Sequence, residues 1–87
     1  MTVKVSDVEW ETYGAGGDVS GTYGDYVIEI EGRHRTHTAY YKASMPNQRA
    51  WSVEFDYDTI ANGEDDGLRA CKKAALDALN AHRSEHG

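Results

Sequence analysis

Eighty-seven residues, 39% apolar and 28% charged, suffice for one globular domain spanning 1–87 and exclude both a second domain and a disordered chain. Fifteen acidic against nine basic residues give a net charge of −6, which disfavours direct nucleic-acid binding, because phosphates must be neutralised by Lys and Arg. The lone cysteine, Cys71, excludes the disulfide framework of a small secreted domain; with no apolar run fit for a signal peptide or a membrane span, the chain reads as cytoplasmic with no membrane partner.

In chain order, the first strand is expected over Val3 to Thr12. Val3 and Val5 share one parity, and Val8, Trp10 and Thr12 the other, so a bulge or bend belongs near Ser6-Asp7. Gly14, Gly16, Gly17 and Gly21 then read as a flexible loop from Gly14 to about Thr22. Tyr23 to Glu31 alternates as a half-buried strand, with Tyr26, Ile28 and Ile30 on one face and Val27, Glu29 and Glu31 on the other.

Gly32 marks a turn into a third strand over His34 to Ala43, whose register stays open. A two-residue turn puts Arg35, His37, Ala39 and Tyr41 on the face of Ile28; a three-residue turn puts Thr36, Thr38 and Tyr40 there. After a turn at Met45-Pro46-Asn47-Gln48, the fourth strand runs from Arg49 to Asp58. Trp51, Val53, Phe55 and Tyr57 face one way, and Ser52, Glu54, Asp56 and Asp58 the other.

Asn62-Gly63-Glu64-Asp65-Asp66 reads as a helix N-terminus, where acids meet orphan amides. From Gly67 to about Arg83 the period is helical, with Leu68, Cys71, Ala75, Leu79 and His82 on one stripe. Residues 83–87 are expected to fray. The fold predicted is α+β: a four-stranded antiparallel sheet with one C-terminal helix packed on one face. Its core holds Trp51, Val53, Phe55, Ile28, Ile30, Leu68 and Leu79.

The charges are unevenly spread. Met1 to Gly67 carries thirteen acids and five bases, and Leu68 to Gly87 two acids and four bases. Within each strand the acids keep to one parity. If the apolar faces meet the helix, the carboxylates share the open face, at roughly 6.5 Å spacing along a strand. Such a row resembles a line of phosphates, and a single-sign field steers an opposite partner. Glu29, Glu31, Glu54 and Asp56 are the candidates for this face, with Asp58, Tyr23 and Tyr40 beside them. Tyrosine suits an interface because it brings area at small entropic cost. Glutamates on a solvent face also simply keep a small protein soluble.

Other chemistry finds little support. His34 and His37 on a strand point to opposite faces and cannot share an ion. His82 and His86, at i, i+4 on the helix, lack a third ligand. Cys71, on the apolar stripe, reads as a structural thiol. Gly14-Ala15-Gly16-Gly17 lacks the Lys and the helix of a phosphate loop. The sequence therefore predicts no enzyme, no metal and no cofactor.

Ala50-Trp51-Ser52-Val53-Glu54-Phe55, then Asn62-Gly63-Glu64-Asp65-Asp66 and the Ala-rich helix to His82, resemble small proteins encoded by phages and prophages. These include anti-CRISPR inhibitors, some of which occupy the nucleic-acid site of their target. The resemblance covers about forty residues and transfers no site residue. It implies a stoichiometric inhibitor of a host nucleic-acid-handling complex, acting in the host cytoplasm on a basic or nucleic-acid-binding protein. The alternative is a small assembly protein, forming a homodimer or larger oligomer through its sheet.

Overall fold

The computed structural model describes residues 2–13, 17–31 and 48–86. Its sheet is antiparallel, with β1 (Glu9–Tyr13), β2 (Asp18–Tyr23), β3 (Tyr26–Ile30), β4 (Gln48–Phe55) and β5 (Asp58–Asp66) side by side in chain order. Helix α1 (Leu68–His86) packs on one face. The α+β class and the C-terminal helix are as expected, but the described residues alone form five strands where four were expected in all.

The first expected strand is split. Val5–Asp7 winds into one 3-10 turn, where the Asp7 amide donates to the Lys4 carbonyl and the Lys4 amide to Asp7 Oδ2, both at 2.9 Å. The parity change at Ser6-Asp7 marks this turn, and pairing begins only at Glu9. The expected loop to Thr22 gives way to β2 at Asp18. Gly21 is a strand residue, opposite Trp10 on one side and Ile28 on the other. A Cβ on Gly21 would lie 2.5 Å from Cζ3 of Trp10 and 2.8 Å from Cγ1 of Val8. The glycine is there for the indole, not for a turn.

The expected strand from Tyr23 is interrupted by a two-residue hairpin loop, Gly24-Asp25, with Gly24 at φ 59°. The expected strand from Arg49 to Asp58 ends at Phe55. Asp56 (φ 52°) and Tyr57 (φ 72°) form a second two-residue loop, and Asp58 opens β5 opposite Phe55. Residues 62–66 are strand rather than helix N-terminus, pairing with β4 through to Gln48↔Asp66. Non-local pairing has overridden the poor strand preference of Asn, Gly and Asp. A bulge between Val53 and Glu54 shifts the register, so that Val53 meets Ala61 and Glu54 meets Thr59. The helix continues past Arg83 to His86. The expected strand at His34 to Ala43, and with it the question of its register, lies outside the described residues.

The core lies between sheet and helix. Val19, Tyr26, Ile28, Ile30 and Val53 from the sheet meet Cys71, Ala75, Leu76 and Leu79 from the helix, and Val3 and Val8 close one side. Trp51, Phe55 and Leu68, expected inside, are only partly buried against this cluster. Ile28, Val53 and Leu79 are completely excluded from solvent; burying each such side chain stabilises the fold by about 1.5–3 kcal/mol.

Side chains extend the covered face beyond the helix. Trp10 lies on Gly21, its Nε1 donates to the Val5 carbonyl at 2.9 Å, and the Lys72 ammonium stands 4.5 Å from its ring centre. Towards the other edge Trp51 lies on Gly63 and donates to Asp65 Oδ2 at 2.9 Å. The Asn80 side chain clamps the N-terminal segment: its Oδ1 accepts the Val3 amide at 2.9 Å and its Nδ2 donates to the Val3 carbonyl at 3.1 Å.

Candidate partner-binding face

Directly opposed residues in an antiparallel pair share a face, so the register assigns every described side chain of the sheet. Val19, Ile28, Val53 and Ala61 belong to the helix face, and their neighbours in each strand to the open one. The open face takes Glu9 and Glu11 from β1, Asp18 from β2, Glu29 from β3, Glu54 from β4, and Glu64 and Asp66 from β5. Glu31 follows β3 with the parity of Glu29 and is held beside β4 by its amide, which donates to the Ala50 carbonyl at 2.9 Å. Every strand thus supplies a carboxylate. Among the described residues no Lys or Arg stands on this face, since Arg49 shares the helix-face parity of Trp51.

Over most of the sheet the carboxylates are staggered. One row across the sheet reads Glu9, Thr22, Val27, Glu54, Thr59; the next reads Glu11, Ser20, Glu29, Ser52, Asn62. In neither of these rows do two acids face each other across one strand pair, an arrangement that would be destabilising; at the Tyr13 end, the β2–β3 register continues to bring Asp18 opposite Glu31. Serine and threonine between them keep the surface low, so the acids stand above it. At the end of the sheet bearing Tyr13, a shallow cleft of about 480 Å³ is lined by Asp18, Glu29, Glu31, Ser52 and Glu64 among others. The Tyr13 hydroxyl donates to Glu29 Oε2 at 2.9 Å and holds that carboxylate upright.

Of the sequence candidates, Glu29, Glu31 and Glu54 are brought together here. Three others are not. Asp56 lies in the β4–β5 loop and Asp58 is paired with Phe55 at its edge. The chain turns before their alternation with Glu54 can continue. Tyr23 opposes Tyr26 on the helix face, partly buried, with the Arg83 guanidinium 5.6 Å from its ring centre. Tyr40 lies outside the described residues. Tyr57, expected on the apolar face, is instead 94% exposed in the loop.

Sequence reading missed Asp18, Glu64, Asp66 and Tyr13 as members of this face. The signal for Glu64 and Asp66 was present, since they alternate with Gly63 and Asp65. It was masked by the resemblance of three consecutive acids to a helix cap.

Among the described residues, Cys71, Tyr26 and His82 are engaged structurally. The Cys71 thiol is buried and donates to the carbonyls of Arg49 at 3.4 Å and Asp65 at 3.6 Å. The Tyr26 hydroxyl and His82 Nδ1 are hydrogen-bonded at 2.7 Å, beneath Phe55. Burial pushes the Tyr26 phenol above its ordinary pKa, and the nearby positive charge of Arg83 opposes this. Among the described residues no group of three or more His, Cys, Asp or Glu is placed to hold a metal ion, and no helix is long and apolar enough to cross a membrane.

No protein-family model matches the chain, and neither curated proteins nor solved structures provide a match. The face must therefore be read from its own chemistry.

Proposed function

We propose that this protein acts by stoichiometric binding, laying the open face of its sheet on a cationic protein surface of the kind that otherwise holds nucleic acid. One observation carries this reading: all five strands put carboxylates on that face, and no described Lys or Arg interrupts them. A face built for solubility alone would mix both signs. Carboxylates repeat every second residue along β1 and at the end of β5, about 6.5–7 Å apart, which suits a surface that binds successive phosphates. The low Ser and Thr floor lets long Lys and Arg side chains reach the acids.

An inhibitor of phage type, directed at a host nucleic-acid-handling complex such as a CRISPR effector, fits both this surface and the resemblance of the C-terminal third. No chemistry is asked of the protein, and no cofactor.

The test is capture from a bacterial lysate on immobilised full-length protein at low salt, set beside the double variant Glu29→Lys/Glu54→Lys. A nucleic-acid-binding protein retained by the wild type, released by moderate salt and absent from the variant is the expected result. Duplex DNA should compete with the bait for the captured protein. Equal capture by wild type and variant would end the open-face reading, because reversing two central carboxylates of that face must weaken any contact made through it.

A further inference from the structure

Tyr57 is out of place by every local rule. Its loop has two residues of positive φ, the conformation for which Asn-Gly is the ordinary choice. A left-handed backbone costs an L-residue about 1–2 kcal/mol, and the ring recovers nothing within the fold because it is 94% exposed. Three carboxylates surround this loop in the chain. Asp56 and Asp58 flank Tyr57, and Asp25 belongs to the neighbouring loop, whose carbonyl accepts the Asp56 amide at 3.3 Å. The tip is an aromatic ring in an acidic collar.

The chemistry that this tip requires is found elsewhere on the same chain. Val5, 43% exposed, and Leu68 floor a largely apolar cleft of about 570 Å³ whose rim carries Arg69 and Lys72. The contact of Lys72 with Trp10 fixes its ammonium at that rim. The tip and the Leu68 side of the cleft belong to opposite ends of the sheet. The Tyr57 loop joins the end of β4 to the start of β5, whereas Leu68 follows the far end of β5. Leu68 and Arg69 of one copy are therefore out of reach of that copy's own tip, and both can be met only by the tip of another.

We propose that the Tyr57 tip of one copy docks into the Val5–Leu68 cleft of a second copy, with Asp56 and Asp58 meeting Arg69 and Lys72. The ring supplies apolar area, and the opposed charges set orientation. The contact joins two different patches, so each copy keeps one free tip and one free cleft. It either closes as a reciprocal pair or runs on as a chain. This is independent of the open face, which lies on the other side of the sheet from the helix.

Sedimentation velocity of the full-length protein over a wide concentration range, at low and high salt, tests it. Association that rises with concentration and weakens at least tenfold in high salt is expected. Tyr57→Gly should melt higher than wild type, because glycine relieves the backbone, yet lose association completely. Loss of binding then cannot be ascribed to unfolding. Val5→Glu/Arg69→Glu, which spoils the cleft, should also be monomeric. Mixing the two variants should restore a one-to-one complex, since one keeps the cleft and the other the tip. A wild type that stays monomeric at low salt overturns the proposal. So does a Tyr57→Gly variant that associates normally, or a mixture that fails to pair.

Discussion

Replacing Gly21 by alanine tests whether the indole–glycine contact organises the β1 edge. The added Cβ would stand 2.5 and 2.6 Å from Cζ3 and Cε3 of Trp10 and 2.8 Å from Cγ1 of Val8. Carbon atoms in contact prefer about 3.5–4.0 Å, so the ring must shift by about 1 Å. Little freedom exists for that shift. Val8 is buried, Trp10 Nε1 is held by the Val5 carbonyl, and Lys72 caps the other ring face. Overpacking of this kind costs about 1–3 kcal/mol. Removing a glycine from a strand interior returns about 0.5–1 kcal/mol. The net is a loss on the order of 1 kcal/mol, which for a domain of this size lowers Tm by about 4–8 °C. Thermal unfolding followed by far-UV circular dichroism measures the shift, and near-UV circular dichroism reports the displaced indole. In a Trp10→Leu background the same substitution should be neutral or stabilising, so the two changes are coupled. If Gly21→Ala in the native background is as stable as wild type, the close contact does not govern this edge and the argument fails.

Two further outcomes follow from the helix side of the sheet. Asn80→Ala removes both hydrogen bonds to Val3 and leaves that amide unsatisfied beside a buried side chain; a loss of about 1–3 kcal/mol in denaturant unfolding is expected, with faster hydrogen exchange in the first residues. Tyr26 has its pKa raised above the ordinary 10.0 by burial, so its neutral form stabilises the fold fully below about pH 10. That contribution is lost as pH rises through the folded value. Stability should therefore fall at alkaline pH, and Tyr26→Phe should flatten that fall at a cost near neutrality from the lost His82 bond. An unchanged alkaline slope in Tyr26→Phe would assign the effect to another group.

The candidate face was legible where strand parity was unbroken. Glu29 alternates with Ile28 and Ile30, and Glu54 with Val53 and Phe55, so a buried partner face sends both carboxylates outward. The alternation misled where the chain turned without a turn sequence. Asp56-Tyr57 offers no glycine, so the strand seemed to continue and carried Asp56 and Asp58 with it. The reverse error arose at Gly21 and Gly63. Their glycines read as breakers, whereas each accommodates a tryptophan ring from the adjacent strand.

The amino-acid sequence by itself determined the α+β class, the Leu68–Cys71–Ala75–Leu79 stripe of the helix, the Ile28, Ile30 and Val53 core and the acidity of the sheet. All of these follow from local periodicity and composition, which a linear reading contains. The tertiary structure alone decided that residues 18–23 and 58–66 are strands, that Glu64 and Asp66 join Glu29 and Glu54 on one face, and that Tyr57 stands in solvent. These depend on pairing between distant segments. Backbone hydrogen bonds to a neighbouring strand, and a ring that needs a bare Cα beneath it, outweigh the weak preferences of the residues concerned.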